Sequence, residues 1–272
     1  MSSLRSRATS LFFGSLIATG LTFIAYTAIY FFPIVSIWKD IASSLIILVA
    51  AMWSAIAATM VWKLYRAEPD LRRVWGNFAL ALWLWTAADL IWTYQAFSSQ
   101  GIQVGIADIF WLIAYPLFGI ALYAQSKLLA LQKWQRRAMF AAILASAFGL
   151  AFLFAYLLGY QRQETPTLHT FVNAFYPAGD LAIGLGALYV ASLLWGGVLS
   201  LPWLAMFLFA LSDALYAWLF HIGQYQALIE QTTWPQYVTD SLYLLAYLVI
   251  GLGCFTQWLT LRYGFFSYAE KS

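Results

Sequence analysis

The sequence predicts an all-α protein, a polytopic membrane bundle of eight transmembrane helices that reads as two parallel four-helix repeats. Three observations carry this prediction. Of the 272 residues, 63% are hydrophobic and only 9% charged, with a mean hydropathy of +0.76; a soluble domain needs about 25% charged residues to solvate its surface. Apolar runs of roughly 20 residues, the length that crosses a hydrocarbon core, recur along the whole chain. The Lys and Arg residues lie between those runs, crowded onto every second connection. Lipid offers the backbone no hydrogen-bond partner, and the runs are too long and unbroken for barrel strands, so helices are the remaining form.

The spans are expected at 10–32, 41–62, 75–97, 106–126, 138–160, 171–195, 201–222 and 237–260. The first opens with Leu11-Phe12-Phe13 behind Arg5 and Arg7, as a secretory signal would. It is longer than such a signal and has no small-residue cleavage site before Tyr30-Phe31-Phe32, so it is read as a span. The second and third are joined by a segment holding Lys63, Arg66, Arg72 and Arg73; the fourth and fifth by one holding Lys127, Lys133, Arg136 and Arg137. Tyr115-Pro116 and Tyr176-Pro177 place prolines inside the fourth and sixth, where kinks are expected. Gly184, Gly186, Gly196 and Gly197 suit close helix packing. Arg262 and Lys271 follow the eighth.

With the N-terminus inside, twelve of the fourteen basic residues face the cytoplasm and only Lys39 and Arg162 lie outside. That asymmetry is the positive-inside signal, and it puts both termini on the cytoplasmic side of the cell membrane. The net charge of +3 is this membrane bias and not a nucleic-acid footprint. The single Cys254 excludes an intramolecular disulfide. The connections are short, with no room between spans for a kinase, cyclase or nuclease module, so residues 1–272 are expected to form one membrane domain.

The repeat divides that domain into 1–136 and 137–272. Asp108, Trp111, Leu112, Ala114, Tyr115 and Gly119 fall on Asp240, Tyr243, Leu244, Ala246, Tyr247 and Gly251. Asp89 similarly falls on Asp213, with Leu80-Ala81 on Leu204-Ala205 and Trp92 on Tyr216; a weaker match sets Asp40 on Asp180. The matched helices lie four apart, so the halves run parallel instead of inverted.

Five of the eleven acids, Asp89, Asp108, Asp180, Asp213 and Asp240, lie in or at the edge of spans. A carboxylate at the bilayer centre costs about 3 kcal/mol on insertion scales, so such residues face a protein interior or a wet cavity. The topology puts all five in the outer half of the membrane. Trp92, Trp111, Tyr216 and Tyr243 each stand three residues after an Asp, on the same helix face, and Trp85 and Phe209 stand one turn before Asp89 and Asp213. The expected site is therefore an acidic, aromatic-lined depression open to the extracytoplasmic side, lined by Asp89, Asp180, Asp213, Trp85, Trp92, Tyr216, Asp108 and Asp240. A carboxylate beside aromatic faces suits an organic cation. Asp108 and Asp240 also begin their spans, where a carboxylate caps free amides and favours the helix dipole. His169 and His221 sit at outer helix ends, but no pair of ligating residues has helical metal-ligand spacing, so no metal is assigned. No cofactor is indicated.

The stretch Asp89-Leu-Ile-Trp-Thr-Tyr, followed by Asp108-Ile-Phe-Trp-Leu-Ile-Ala-Tyr-Pro-Leu, with Tyr176-Pro-Ala-Gly-Asp180-Leu and Ser212-Asp213-Ala-Leu-Tyr, resembles the multi-span sensory modules that precede diguanylate cyclase or histidine kinase domains. The resemblance covers about 75–255. It implies detection of something outside the cell or within the outer leaflet of the lipid bilayer, and transfer of the signal to a separate cytoplasmic partner; a small cationic or lipid ligand is the expected candidate. A looser likeness to the lysoplasmalogenase family rests on intramembrane carboxylates. It implies a lipid hydrolase in which Asp89 or Asp180 works with Asp213 as general acid and base. A small-molecule or cation transporter fits the same residues, and whether the chain is an enzyme is left open by the sequence.

Overall fold

The computed structural model of the protein describes residues 2–32, 36–97, 105–129, 132–162, 168–225 and 233–264. Apart from one 3₁₀ turn at Val198–Ser200, the regular structure among them is α-helical: α1 (Ser2–Phe31), α2 (Ser36–Leu64), α3 (Pro69–Phe97), α4 (Ile106–Leu128), α5 (Lys133–Arg162), α6 (Leu168–Leu193), α7 (Leu201–His221) and α8 (Trp234–Tyr263). Each expected span corresponds to one helix. Most of the helices run past the apolar limits, because hydropathy marks the part of a helix that lipid covers and not the polar turns that extend it.

Local chemistry sets several of the ends. At the start of α4, Asp108 turns back to accept the Gly105 backbone N–H at 2.7 Å, which satisfies an amide just ahead of the first turn. Thr233 caps α8 by accepting from the Gln236 N–H, with Pro235 in the first turn. Gly264 ends that helix in the left-handed region at φ +65°, and its N–H bonds the Thr260 carbonyl at 2.9 Å. Pro116 and Pro177 both lie inside continuous helices.

Six helices, α2, α3, α4, α6, α7 and α8, close a ring in which each packs on the next. Outside it, α1 lies against α8 and α2, and α5 lies against α6, with Tyr123 of α4 meeting Phe140 of α5 edge-on. Aromatic side chains from α3 and α7 meet across the middle: Phe78 with Trp203 at 5.1 Å and Trp85 with Phe209 at 4.9 Å. Small residues permit the closest crossings. A Cβ on Gly184 of α6 would stand 2.3 Å from the Ala210 Cβ of α7, so those two backbones approach at a distance only glycine allows.

The bundle is apolar both inside and on its outer surface, and its core also buries polar groups. Phe13, Ile17, Leu21 and Ile24 of α1 and Val49 of α2 face outward, while Asp40, Ser54, Asp89, Ser126, Asp180, Thr256 and Gln257 are buried. Among the described residues, six helices are long and apolar enough to cross a membrane: α1, α2, α3, α4, α7 and α8. The molecule thus fits a multi-pass helical membrane protein.

Candidate functional site

The carboxylates singled out by their position in apolar sequence gather with a set of tyrosines, and the tyrosines come from other helices than the carboxylates they serve. Asp89 on α3 is buried and accepts from two hydroxyls of α8, Tyr247 at 2.6 Å and Tyr243 at 3.1 Å. The Trp111 side chain of α4 is close enough to add to that hold. Asp180 on α6 is buried and accepts from the Tyr115 hydroxyl of α4. Asp108 accepts from the Tyr176 hydroxyl of α6 at 2.5 Å in addition to its capping bond. Asp240 on α8 accepts from Tyr30 of α1 at 2.6 Å and from Tyr225, just after α7, at 2.8 Å. Tyr26 extends this last set by donating to the Tyr30 oxygen at 3.2 Å.

The cross-helix pairing replaces the neighbour pairing that spacing suggests. Tyr243 stands one turn after Asp240 yet serves Asp89, and Trp111 stands one turn after Asp108 yet also lies at Asp89. Residues three apart share a face of their own helix, but a tyrosine ring is long enough to carry its hydroxyl to the next helix. The capping expectation divides. Asp108 does cap α4, whereas α8 begins at Trp234, more than a turn before Asp240, and the Asp240 carboxylate is bound by hydroxyls instead of helix amides.

Asp213 on α7 differs from the other four. It is half-buried and accepts no hydrogen bond among the described residues, yet it lies close enough to Asp180 and Asp89 for both charges to bear on it. A hydrogen bond to a charged group contributes about 1.5–3 kcal/mol, so the two bonds to Asp89 match or exceed the roughly 3 kcal/mol insertion cost of a carboxylate in lipid. No hydrogen bond among the described residues offsets that cost at Asp213. No Lys or Arg is paired with any of the five among the described residues.

Aromatic rings underlie the cluster. Trp85 meets Phe209 at 4.9 Å and Tyr115 at 6.1 Å, both edge-on, and Phe209 in turn meets Tyr243 at 5.1 Å and Tyr247 at 4.6 Å. The Trp85–Phe209 pair therefore carries the tyrosines of Asp180 on one side and those of Asp89 on the other. Tyr216 meets Tyr225 at 4.6 Å and lies within electrostatic range of Asp213, Asp240 and Asp108. Trp92 is half-buried on α3, and none of the contacts just described involves it. The side chains of His169 and His221 lie outside the described residues, and among those described no group of three or more His, Cys, Asp or Glu is placed to hold a metal ion.

Sequence reasoning singled out the five carboxylates but not Tyr26, Tyr30 or Tyr225, and it read Tyr115 and Tyr247 as a repeat pattern and Tyr243 also as an aromatic neighbour of Asp240, none of them as donors. Tyrosine inside an apolar run was the available signal, since its hydroxyl must find a partner there. Comparison with protein-family models, with curated proteins and with solved structures finds no match for this chain.

Proposed function

We propose that the protein is a membrane ligand-binding module of sensory type that takes an organic ammonium cation at Asp213. One observation carries the reading: four carboxylates are held by tyrosine hydroxyls, and the fifth, between two of them, is held by nothing among the described residues. Hydroxyl donors stabilise carboxylates without cancelling their charge, so the cluster remains an attractor for a cation. The three central carboxylates do not converge as metal ligands, and the layer beneath them is aromatic, which suits a cation with an apolar body.

In this reading the bundle spans the membrane eight times with both termini in the cytoplasm, and the cluster opens outward. Residues 1–136 and 137–272 form parallel halves. The packing supports this: exchanging α1–α4 with α5–α8 carries the α2–α3, α3–α4, α1–α2 and α2–α8 contacts onto α6–α7, α7–α8, α5–α6 and α6–α4. Occupancy of Asp213 is then communicated to a separate cytoplasmic partner through α7.

The test is ligand-dependent thermal stability. Butylammonium chloride should raise the unfolding temperature of the detergent-purified protein in a saturable way, compared with sodium chloride at equal ionic strength. A ligand at a hundred times its dissociation constant stabilises by about 2.7 kcal/mol. Asp213→Asn should abolish the shift while unfolding cooperatively. A wild-type protein with no saturable shift, or an Asn variant with the same shift, would overturn the assignment.

A further inference from the structure

We propose that Trp85 is a specificity-determining residue of this site: its indole N–H receives a hydrogen-bond acceptor on the ligand, so the preferred ligand is an ammonium cation carrying an oxygen a short distance from its nitrogen. The inference rests on the reading of Asp213 as the cation site and adds the second half of the ligand.

Trp85 is 3% exposed, and its Nε1 is one of four buried side-chain polar atoms among the described residues that have no hydrogen-bond partner. A buried donor without an acceptor is costly, and more so where no water competes. Its surroundings explain the vacancy. The rings nearest to it are Tyr115, Phe118 and Phe209, all met edge-on. The Tyr115 hydroxyl donates to Asp180 and does not accept from the indole, and the two phenylalanines have no acceptor. A phenylalanine at 85 would keep a ring in this aromatic layer, in a smaller volume, and would remove the N–H.

Its place in the fold connects the orphan donor to the carboxylates. Trp85 lies one turn before Asp89 on the same face of α3. It touches the tyrosine that serves Asp180, and through Phe209 it adjoins the two that serve Asp89. Trp203, the other tryptophan with an unpartnered nitrogen, packs instead against Trp75 and Phe78, near the opposite ends of α3 and α7. Beside the cluster thus lies one unpartnered donor, and within it one carboxylate that accepts no hydrogen bond among the described residues. A ligand that satisfies both is amphoteric in hydrogen bonding: N–H groups toward Asp213 and an ether, hydroxyl or carbonyl oxygen toward Trp85.

Two nearly isosteric amines separate this from simple cation binding. Butylamine and 2-methoxyethylamine differ by one methylene replaced by an ether oxygen, and their dissociation constants can be read from the thermal-shift titration. Wild-type protein should prefer the ether about tenfold. In Trp85→Phe the preference should vanish or reverse. Equal binding of the two amines by wild type would overturn the inference, and so would an undiminished preference in Trp85→Phe. A structural water on Trp85 would lower the stability of that variant and leave the ratio unchanged, which also counts against the proposal. Failure of both amines to bind would sink the cation site itself, whereas Asp213-dependent binding without an ether preference would sink this inference alone.

Discussion

The Tyr247 hydroxyl of α8 donates to the Asp89 carboxylate of α3 over 2.6 Å, so a polar bond in the interior joins two helices that are not neighbours in the ring. Removing it should be costly. Tyr247→Phe keeps the ring against Phe209 and deletes only the donor, leaving Asp89 with Tyr243 at 3.1 Å. The expected loss is about 1–3 kcal/mol of stability, the cost of under-satisfying a buried charged group. Tyr94→Phe, at a position 71% exposed on the same α3, should change nothing measurable. Unfolding of both variants in detergent, followed by tryptophan fluorescence, makes the comparison; equal effects would mean that the hydroxyl does not hold the carboxylate.

Asp108 and Asp213 should respond in opposite ways to truncation. Asp108→Ala removes both the bond that closes the first turn of α4 and the bond from Tyr176, and loss of a cap alone costs about 1 kcal/mol. Asp213→Ala breaks no hydrogen bond among the described residues and relieves repulsion with Asp180 and Asp89. It should leave the unfolding temperature unchanged or raise it, as expected where a residue serves binding at some expense of stability. A larger drop for Asp213→Ala than for Asp108→Ala would mark Asp213 as structural.

How far the sequence could be read differs between backbone and site, for a physical reason. Hydrophobic run length is a local quantity, and each expected span overlaps a single helix, 41–62 for instance lying inside Ser36–Leu64. The cost of a carboxylate in lipid is also local, so Asp89, Asp180 and Asp213 could be identified from their own flanks. Their partners could not, because Tyr30 with Asp240 and Tyr247 with Asp89 are 210 and 158 residues apart. Only packing decides which helix faces which. Trp92 and Tyr216 show the same dependence on packing: Trp85 and Phe209, expected one turn before Asp89 and Asp213, meet each other in the ring layer, whereas Tyr216 stands near Asp213 and also meets Tyr225.

Glycine positions give a third expectation. At Gly184 an added Cβ would meet the Ala210 Cβ at 2.3 Å, and neither atom has a bond about which to rotate away. Gly184→Ala must therefore push α6 from α7, at about 1–3 kcal/mol for an overpacked contact. At Gly20 on α1 nothing lies within 4 Å of the added atom, so Gly20→Ala should be neutral or slightly stabilising through its better helix propensity. Because α6 and α7 carry Asp180 and Asp213, the Gly184 variant should also weaken butylammonium binding. Normal stability and binding in Gly184→Ala would contradict the close crossing.

The last expectation concerns orientation, on which outward access to Asp213 depends. Ser98 and Gln231, which the sequence places in outer connections, lie outside the described residues, but Gln132 and Gln224 are both described and exposed. Between them run α5, α6 and α7. If all three cross the membrane, that odd number puts the two positions on opposite sides. The basic residues indicate which is which: Lys127, Lys133, Arg136 and Arg137 surround Gln132, whereas no Lys or Arg lies near Gln224 in sequence, so Gln132 is expected in the cytoplasm. The native Cys254 is buried and gives little background. In intact cells an impermeant maleimide should label Gln224→Cys, and Gln132→Cys should label only after permeabilisation. The reverse pattern would turn the cluster toward the cytoplasm and remove the extracytoplasmic ligand. Labelling of both from the same side would instead show an even number of crossings between them, and with it the eight-span count and the parallel repeat would fall.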